Sequence, residues 1–319
     1  MREERFLVTG ALGCIGAWVV RKLVQEGIET HVFDLASDSR RLHLIMDDEE
    51  YAKVNFRTGD ISNFNEVERC IIETGATHMI HLAALQVPFC REDPVRGAQV
   101  NVLGTVNVFE GARRAGLHRV TYASSIAVYG LSEDYPDEAI GPEAPLKPRN
   151  LYGIYKQANE GTARVYWLEN GISSIGLRPY IVYGPGRDQG LTSGPTKAML
   201  AAARGEGYHI PFGGYSTYQY VEDVAEAFIR AARVSSEGAE VFNMGGSLVH
   251  VRDIIKATEL AEPPMIGRVT FDDKPLPFPE KYDDSLLHAV LGSFQETPLQ
   301  TGVEKTIALF KQAINQNRI

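Results

Sequence analysis

The sequence predicts an α/β protein with a doubly wound parallel sheet and a smaller C-terminal substrate lobe. Short apolar runs alternate with helical stretches up to about residue 178, and the first apolar run leads directly into a glycine-rich turn. Beyond residue 186 the alternation becomes less regular. Alternation of this kind is typical of a parallel sheet with helices on both faces, followed here by a lobe of different construction.

The composition excludes several classes of protein. The 319 residues are 44% hydrophobic and carry a net charge of −9, so we expect no nucleic-acid partner. No stretch has the roughly 18 apolar residues of a membrane span, and no signal-peptide pattern occurs at the N-terminus. Cys14, Cys70 and Cys90 are scattered, which predicts neither a disulfide framework nor a metal site and favours a cytoplasmic location.

The first predicted strand, residues 5–9, is followed by Gly10, Gly13 and Gly16 and then by a helical pattern up to Gly27. A turn without side chains lets backbone N–H groups approach a pyrophosphate at the N-terminus of a helix. The spacing G-x-x-G-x-x-G differs by one residue from G-x-G-x-x-G. The arrangement nevertheless predicts the nucleotide-binding turn of a Rossmann fold.

The second predicted strand, residues 30–33, ends in Asp34, 18 residues after Gly16. A carboxylate at this place accepts the ribose hydroxyls of adenosine and repels a 2′-phosphate, which favours NAD over NADP. Arg40 and Arg41 follow in a polar loop and leave a phosphate-binding alternative open. Two arginines in such a loop are more often simply solvated.

Further strands and helices continue the pattern. Strands are predicted at 54–58, 78–82, 119–123 and 174–178, and helices at 63–74, 95–115 and 152–169. The carboxyl ends of parallel strands form the ligand-binding edge of a sheet. We therefore expect the small residues at 82–84 to lie along the dinucleotide, and one hydroxyl of Ser124 or Ser125 to contact the reacting substrate oxygen. Serines at strand ends are also common turn formers, so this alternative stays open.

Tyr152 and Lys156 lie four residues apart, and on a helix their side chains project from the same face. The ammonium stabilises a phenolate, so a tyrosine with a free pKa of about 10 can act as a base near neutral pH. The pair alone is weak evidence, because this spacing is frequent on amphipathic helices.

The C-terminal part predicts a smaller lobe interleaved with the last strands of the sheet. A helix is expected at 194–203, a strand at 208–211, and a helix that starts near 219–223 and runs to Arg233. The predicted division is an NAD-binding Rossmann domain at 1–178, with its last strands from about 205–250, and a substrate-binding lobe. The lobe comprises 179–204 and 251–319. The histidines at 209, 250 and 288 show no metal-ligand spacing and are interpreted as structural or surface residues.

Seven motifs occur in order along the chain. They are G-A-L-G-C-I-G at 10–16, Asp34, Gly59-Asp60-Ile61, His81-Leu82-Ala83-Ala84, S-S-I-A-V-Y-G at 124–130, Tyr152-x-x-x-Lys156 and R-P-Y-I-V-Y-G-P at 178–185. With these motifs the chain resembles the extended short-chain dehydrogenases/reductases, specifically the NAD-dependent epimerase/dehydratase family, over nearly its whole length. The resemblance implies NAD as cofactor and a homodimer formed through the helices at 95–115 and 152–169.

The resemblance also implies the site residues. In the family a Ser or Thr four residues before the V-Y-G tyrosine completes the catalytic triad, which here gives Ser125, Tyr152 and Lys156. The implied cofactor-binding residues are Gly10, Gly13, Cys14, Ile15, Gly16, Asp34, Asp60, Ile61, Leu82, Ala83, Ala84, Asn101, Ser124, Tyr152, Lys156, Pro179 and Val182.

Departures from the family pattern narrow the expected reaction. Ile126 and Ala127 stand where family dehydratases carry an Asp-Glu pair, so dehydration and decarboxylation are disfavoured. Nucleotide-sugar epimerases usually have Asn at the place of Ile181 and Arg at the place of Ser216, and both residues meet the nucleotide diphosphate. The runs S-S-I-A-V and L-A-A-L also resemble the short-chain threonine dehydrogenases, a branch that oxidises a free small molecule.

The sequence therefore predicts an NAD-dependent oxidoreductase that takes hydride from a secondary alcohol of a free sugar, sugar acid or similar polar metabolite. The alternative is a nucleotide-sugar 4-epimerase. A non-catalytic dinucleotide sensor is less expected, because such proteins generally lose the Tyr or the Lys. The predicted substrate pocket consists of Gln86, Ser125, Tyr152, Tyr180 and Arg187. Arg187 would hold a carboxylate or phosphate by its bidentate donors, unless it only pins its own loop.

Overall fold

A seven-stranded parallel sheet forms the centre of the computed structural model, which describes residues 4–35, 38–135, 139–294 and 296–319. The strands of the chain are β1 (Arg5–Thr9), β2 (Glu29–Asp34), β3 (Asn55–Thr58), β4 (His78–His81), β5 (Arg119–Ala123), β6 (Ser173–Arg178), β7 (Ile181–Tyr183), β8 (Tyr208–Ile210), β9 (Tyr215–Tyr220), β10 (Ala239–Asn243), β11 (Ser247–His250) and β12 (Val269–Phe271). The order in the central sheet is β10-β6-β5-β4-β1-β2-β3. This arrangement confirms the predicted fold class.

Helices cover both faces of the sheet. They are α1 (Cys14–Gln25), α2 (Arg40–Ile45), α3 (Asp48–Ala52), α4 (Phe64–Thr74), α5 (Val87–Glu92), α6 (Pro94–Ala98), α7 (Gly104–Arg114), α8 (Leu151–Asn170), α9 (Gly194–Arg204), α10 (Val221–Arg233), α11 (Val251–Ala261), α12 (Ser285–Leu291) and α13 (Leu299–Asn315). Phe6 and Val8 of β1 pack with α1 and α10 on one face, and Leu7 packs with α4 and α7 on the other. The alternation of side chains along a strand thus divides the core into two layers.

The helix predicted at 95–115 is interrupted in the structure. It consists of α6, a π-helical turn at Gln99–Leu103 and α7. The extra residue of a π-turn widens the helix locally. Asn101 lies on this turn and is completely buried.

The segment 205–250 was predicted to supply the last strands of the central sheet, but only β10 joins it, beside β6. β8 pairs with β12, and β9 pairs with β7 and β11 in two small sheets. The turn at 211–214 is too short for β8 and β9 to be parallel neighbours, because such neighbours need a crossover of a dozen or more residues. α10 provides such a crossover before β10, whereas only the turn at 211–214 separates β8 from β9.

Two further predictions concern the surface. The acidic, proline-rich composition of residues 131–149 predicts a surface loop, of which residues 136–138 lie outside the described ranges. Of the helices that the structure describes, none combines the length and apolar character needed to cross a membrane.

Candidate active site

The glycine-rich turn lies at the carboxyl edge of the sheet, as predicted. Gly10 has φ +67°, and a Cβ atom there would overlap with the backbone of Ala83 after β4. A Cβ atom at Gly16 would overlap with the carbonyl of Gly10. These close approaches bring the N-terminus of α1 next to residues 82–84. The cradle of backbone donors at Cys14 and Ile15 therefore fits a pyrophosphate.

Asp34, the last residue of β2, lies directly beside this turn. Its Oδ2 accepts a hydrogen bond from the backbone N–H of Leu12 at 3.0 Å. The carboxylate is thereby held where the sequence places the adenosine ribose. An anionic group at this position disfavours a 2′-phosphate.

Arg40 and Arg41 lie on α2 rather than in a polar loop, and Arg40 is exposed whereas Arg41 is partly buried. Both pair with Asp188, at 3.2 Å from Arg40 Nη2 and 2.7 Å from Arg41 Nη2. Arg41 also donates to the carbonyls of Leu12 and Gly186. The guanidinium of Arg41 therefore connects α2 with the loop that follows β7.

Asp60 and Ile61, which were expected to contact the adenine, follow the end of β3 in the chain. Asp60 accepts hydrogen bonds from Ser62 and from Arg96, whose Nη2 is 2.9 Å away. Burial opposes ionisation, but these hydrogen bonds and the charge of Arg96 lower the pKa of Asp60. Ile61 is buried against Gly104 of α7.

The structure brings Ser125, Tyr152 and Lys156 together at the ends of β5 and α8. The Asn150 side chain caps α8 by accepting from Gly153 N–H, at 2.9 Å. A Cβ atom at Gly153 would overlap with the carbonyl of Ala127, so glycine lets α8 approach the turn that carries Ser125. The predicted triad residues therefore share one site.

The electrostatics of Tyr152 and Lys156 differ from the sequence-based expectation. Burial raises the pKa of Tyr152, and the Ser125 hydroxyl and the charge of Arg187 oppose this rise. Burial lowers the pKa of Lys156 to about 8. Lys156 Nζ donates to the Ala123 carbonyl at 2.7 Å and lies 5.7 Å from the centre of the Tyr152 ring. Burial therefore favours the neutral phenol of Tyr152 and disfavours the charged form of Lys156 beside it.

Two predicted cofactor residues have their polar groups engaged within the protein. The Ser124 hydroxyl donates to Glu160 at 2.5 Å. The Asn101 amide accepts from Leu85 N–H at 2.7 Å and donates to the Leu85 carbonyl at 2.9 Å. These contacts hold the segment after β4 and the end of β5 in place.

The predicted substrate residues surround the loop after β7. Gln86 and Arg187 both lie close to Gly190, where a Cβ atom would overlap with Gln86 Oε1 and would lie 3.2 Å from Arg187 Nη2. Arg187 Nη2 donates to Thr192 at 3.2 Å. Within the described part of the chain, Arg187 Nε and Gln86 Oε1 are buried without a hydrogen-bond partner. Buried polar atoms without a partner are the kind of feature that a polar ligand satisfies.

Tyr180, Pro179 and Val182 follow β6 towards the small sheets. The backbone N–H of Tyr180 donates to the Gln219 side chain at 2.9 Å, and the carbonyl of Pro179 accepts from Ile126 N–H at 3.2 Å. The Tyr180 ring meets the ring of Tyr282 edge to face, with centroids 5.4 Å apart. The C-terminal part of the chain therefore contributes to the wall of the site.

Sequence reasoning missed three residues near the site. Glu160 lies four residues after Lys156, a spacing that places both on one face of a helix and could have drawn attention to it. Arg178 was noted only as part of a motif. Tyr282 stacks on Tyr129 with centroids 5.6 Å apart, and no local spacing indicates this contact.

The histidines have polar partners that their spacing did not suggest. His288 Nε2 lies 3.2 Å from Asp284, and within the described residues these two form a group of possible metal ligands with Glu296. His209 contacts Asp272, and His250 caps α11 by accepting from Arg252 N–H.

The fold and the site define a dinucleotide-binding enzyme of the extended short-chain dehydrogenase/reductase class. The model of the NAD dependent epimerase/dehydratase family matches residues 6–245. A UDP-glucose 4-epimerase of Mycolicibacterium smegmatis is 30% identical, over 96% of this chain and 98% of its own length. The chain therefore belongs to the NAD-dependent epimerase/dehydratase family.

Solved structures agree with this membership. A Thermus thermophilus UDP-glucose 4-epimerase in complex with NAD has a TM-score of 0.81 and 28% identity, over 97% of this chain and 99% of that one. A UDP-glucose 4-epimerase of Thermotoga maritima with UDP-glucose has a TM-score of 0.82 and 26% identity, over the same shares. Together with the glycine turn and Asp34, they identify NAD as the cofactor.

Proposed function

We propose that this protein is an NAD-dependent 4-epimerase of nucleotide sugars. The observation that carries the proposal is the 30% identity to a UDP-glucose 4-epimerase along 96% of the chain. The proximity of Ser125, Tyr152 and Lys156 supports the proposal. The expectation of free-sugar oxidation receives no comparable support from the relatives, which favour the alternative drawn from the sequence.

Tyr152 is assigned as the group that removes the proton from the substrate hydroxyl. NAD, which the glycine turn and Asp34 would hold, would supply the hydride acceptor and a positive charge near the phenol. Lys156 stabilises the phenolate and is held by the Ala123 carbonyl, and Ser125 hydrogen-bonds the reacting oxygen. The raised pKa of Tyr152 in the protein alone means that its basicity depends on these nearby positive charges.

The substrate is assigned to the space next to Gln86, Ser125, Tyr152, Tyr180 and Arg187. Asp188, the nearest acidic residue in sequence to Arg187, is paired with Arg40 and Arg41. Within the described residues, the Arg187 side chain donates one hydrogen bond to its own loop, from Nη2 to Thr192. This leaves its guanidinium suited to a phosphate or carboxylate of the substrate.

A specific observation also favours a second candidate, a dehydrogenase of a free polar metabolite. Ser216 and Ile181 occupy the places of the residues that usually meet the nucleotide diphosphate, and both are buried. The Ser216 hydroxyl donates to the carbonyl of Tyr215 at 2.7 Å. A neutral, internally bonded hydroxyl does not replace the charge of a guanidinium. If the diphosphate is bound here, Arg187 is the residue that we assign to supply that charge.

One assay separates the candidates. Purified protein with NAD is offered UDP-sugars, free sugars and sugar acids, while the absorbance of reduced cofactor and the sugar products are measured. Product without net NADH supports the epimerase, and NADH accumulation with a free sugar or sugar acid supports the dehydrogenase. Absence of turnover with every substrate would contradict both and favour a dinucleotide sensor.

We also propose that the protein is a homodimer, with a substrate-binding lobe and a cytoplasmic location. The exposed residues Leu151, Ile154, Val165 and Leu168 lie three, eleven and three residues apart and so form a stripe on one side of α8, which favours a homodimer through paired helices. Residues 179–204 and 251–319 are assigned as the substrate-binding lobe. The three cysteines are free thiols, which supports a cytoplasmic location.

A further inference from the structure

A buried ion pair between Arg178 and Glu160 lies next to the proposed catalytic residues. Arg178 donates from Nε and Nη2 to the two carboxylate oxygens of Glu160, each at 2.8 Å. The side chains are 4% and 8% exposed. A pair removed from water to this extent often contributes little net stability compared with apolar residues of the same volume. The elements that the ion pair connects, rather than its contribution to stability, therefore indicate its role.

The carboxylate of Glu160 joins α8 to β5 and β6, two strands whose ends lead into the proposed site. Glu160 lies on α8, one helical turn after Lys156. It accepts the Ser124 hydroxyl at 2.5 Å, next to Ser125 at the end of β5. Its partner Arg178 is the last residue of β6 and directly precedes the Pro179–Tyr180 segment.

Arg178 also contacts the segment of the chain that follows Ser125. Its Nη1 donates to the Tyr129 hydroxyl at 2.6 Å and to the Pro142 carbonyl at 2.8 Å. The Tyr129 hydroxyl in turn donates to Asn243 on β10 at 2.8 Å. The side chains of Arg178, Tyr129 and Asn243 are all buried. A planar guanidinium with several fixed donors holds such a junction at one geometry.

We propose that Glu160 and Arg178 are positioning residues that hold α8 at the depth where Tyr152 and Lys156 meet Ser125. This inference rests on the proposed roles of these three residues. The Lys156 Nζ to Ala123 contact and the approach of Gly153 to Ala127 both need α8 at one distance from β5. A displacement of about 1 Å at a catalytic group can reduce the rate by about a hundredfold.

The test compares Glu160→Gln with the wild type. Glutamine keeps the volume but loses the charge, so the fork with Arg178 is weakened. We expect kcat to fall by about tenfold or more, while the substrate KM and the NAD affinity change by less than about threefold. The matched control is Glu110→Gln on α7, which breaks the ion pairs to Arg113 and Arg114 and should leave kcat unchanged.

Two further measurements separate positioning from general destabilisation. Hydrogen exchange of residues 151–158 should be faster in Glu160→Gln than in the wild type. The losses in kcat caused by Glu160→Gln and Ser125→Ala should be less than additive, because both act on the same contact. Should Glu160→Gln fail to fold, the double variant Glu160→Gln/Arg178→Gln, which removes both charges, replaces it.

A folded variant with kcat within twofold of the wild type, or with unchanged exchange in α8, would overturn the inference. So would a loss confined to KM. Tyr152→Phe is measured in parallel, since an active Tyr152→Phe variant would reject the triad itself. The exchange measurement requires no substrate, so it tests the positioning pair even if the proposed reaction is wrong.

Discussion

The ammonium of Lys156 donates a 2.7 Å hydrogen bond to the carbonyl of Ala123, the last residue of β5. The bond attaches the second turn of the helix that carries Tyr152 to the strand that ends beside Ser125. It also holds a positive charge in a place where the side chain is almost completely buried. Both the proposed chemistry and the stability of the protein should depend on it.

Tyr152→Phe should abolish turnover and leave NAD bound, because only the proton acceptor is removed. Activity and NADH binding, the latter by fluorescence titration, are measured on the same preparation. Tyr166→Phe on the same helix is the control, since its hydroxyl contacts only Glu110 among its described partners. More than a tenth of wild-type activity in Tyr152→Phe would reject this tyrosine as the base.

Lys156→Met should change how stability depends on pH. Burial lowers the pKa of Lys156 from 10.5 to about 8, a shift that corresponds to about 3 kcal/mol. Between these values the unfolded chain binds the proton and the folded protein does not, so a rise in pH favours the folded state.

Relative to Lys156→Met, the wild type should therefore gain about 2 kcal/mol or more between pH 8 and pH 10. Urea denaturation of both proteins at several pH values measures this difference. Parallel stability curves would show that Lys156 titrates normally.

The wild type should prefer NAD to NADP by at least about tenfold in kcat/KM, because Asp34 faces a 2′-phosphate. Asp34→Asn retains an acceptor for the Leu12 N–H and should reduce this preference. Asp38→Asn, an exposed change nearby, serves as the control. Equal or better efficiency of the wild type with NADP would indicate that Arg40 or Arg41 leaves Asp188 to bind the phosphate.

Arg187→Ala should raise the substrate KM by about tenfold or more without weakening NAD binding. A lost charged contact of about 1.5 to 3 kcal/mol accounts for this size. Arg40→Ala is the control, because this arginine is exposed and contacts Asp38 and Asp188. An unchanged KM would mean that the substrate is held elsewhere or carries no charge.

The protein should be a dimer in solution, and Val165→Glu/Leu168→Glu should convert it to a monomer. Both side chains are exposed on α8, Leu168 to 69%. Charges in a helix interface are costly because they lose water without a partner. Arg164→Glu, next to the stripe, is the control. Light scattering at micromolar concentration measures the oligomeric state of the wild type and the variants. A monomeric wild type would contradict the proposal.

Features that depend on local spacing could be predicted from the sequence. Tyr152 and Lys156 share a helix face because they are four residues apart. Asp34 reaches the glycine turn because it ends the strand next to β1. In these cases the chain itself sets the distance.

Features that depend on how distant elements pack could not be predicted. The contact of Glu160 with Arg178 requires α8 to lie across the end of β6, and Tyr282 reaches Tyr129 only after the lobe has folded back. The strand pattern at 208–220 indicated strands but not their partners. Their pairing with β7, β11 and β12 depends on how distant segments pack.

The place of β10 at the edge of the central sheet has a consequence for the synthesis of the protein on the ribosome. Its partner β6 ends at Arg178, whereas β10 starts only at Ala239. At roughly 5 to 20 residues per second, the open edge of β6 waits several seconds for its neighbour. Unpaired strand edges associate readily with other chains. Aggregation of the nascent protein should therefore be greatest in this interval, and a chain truncated after residue 178 should be insoluble.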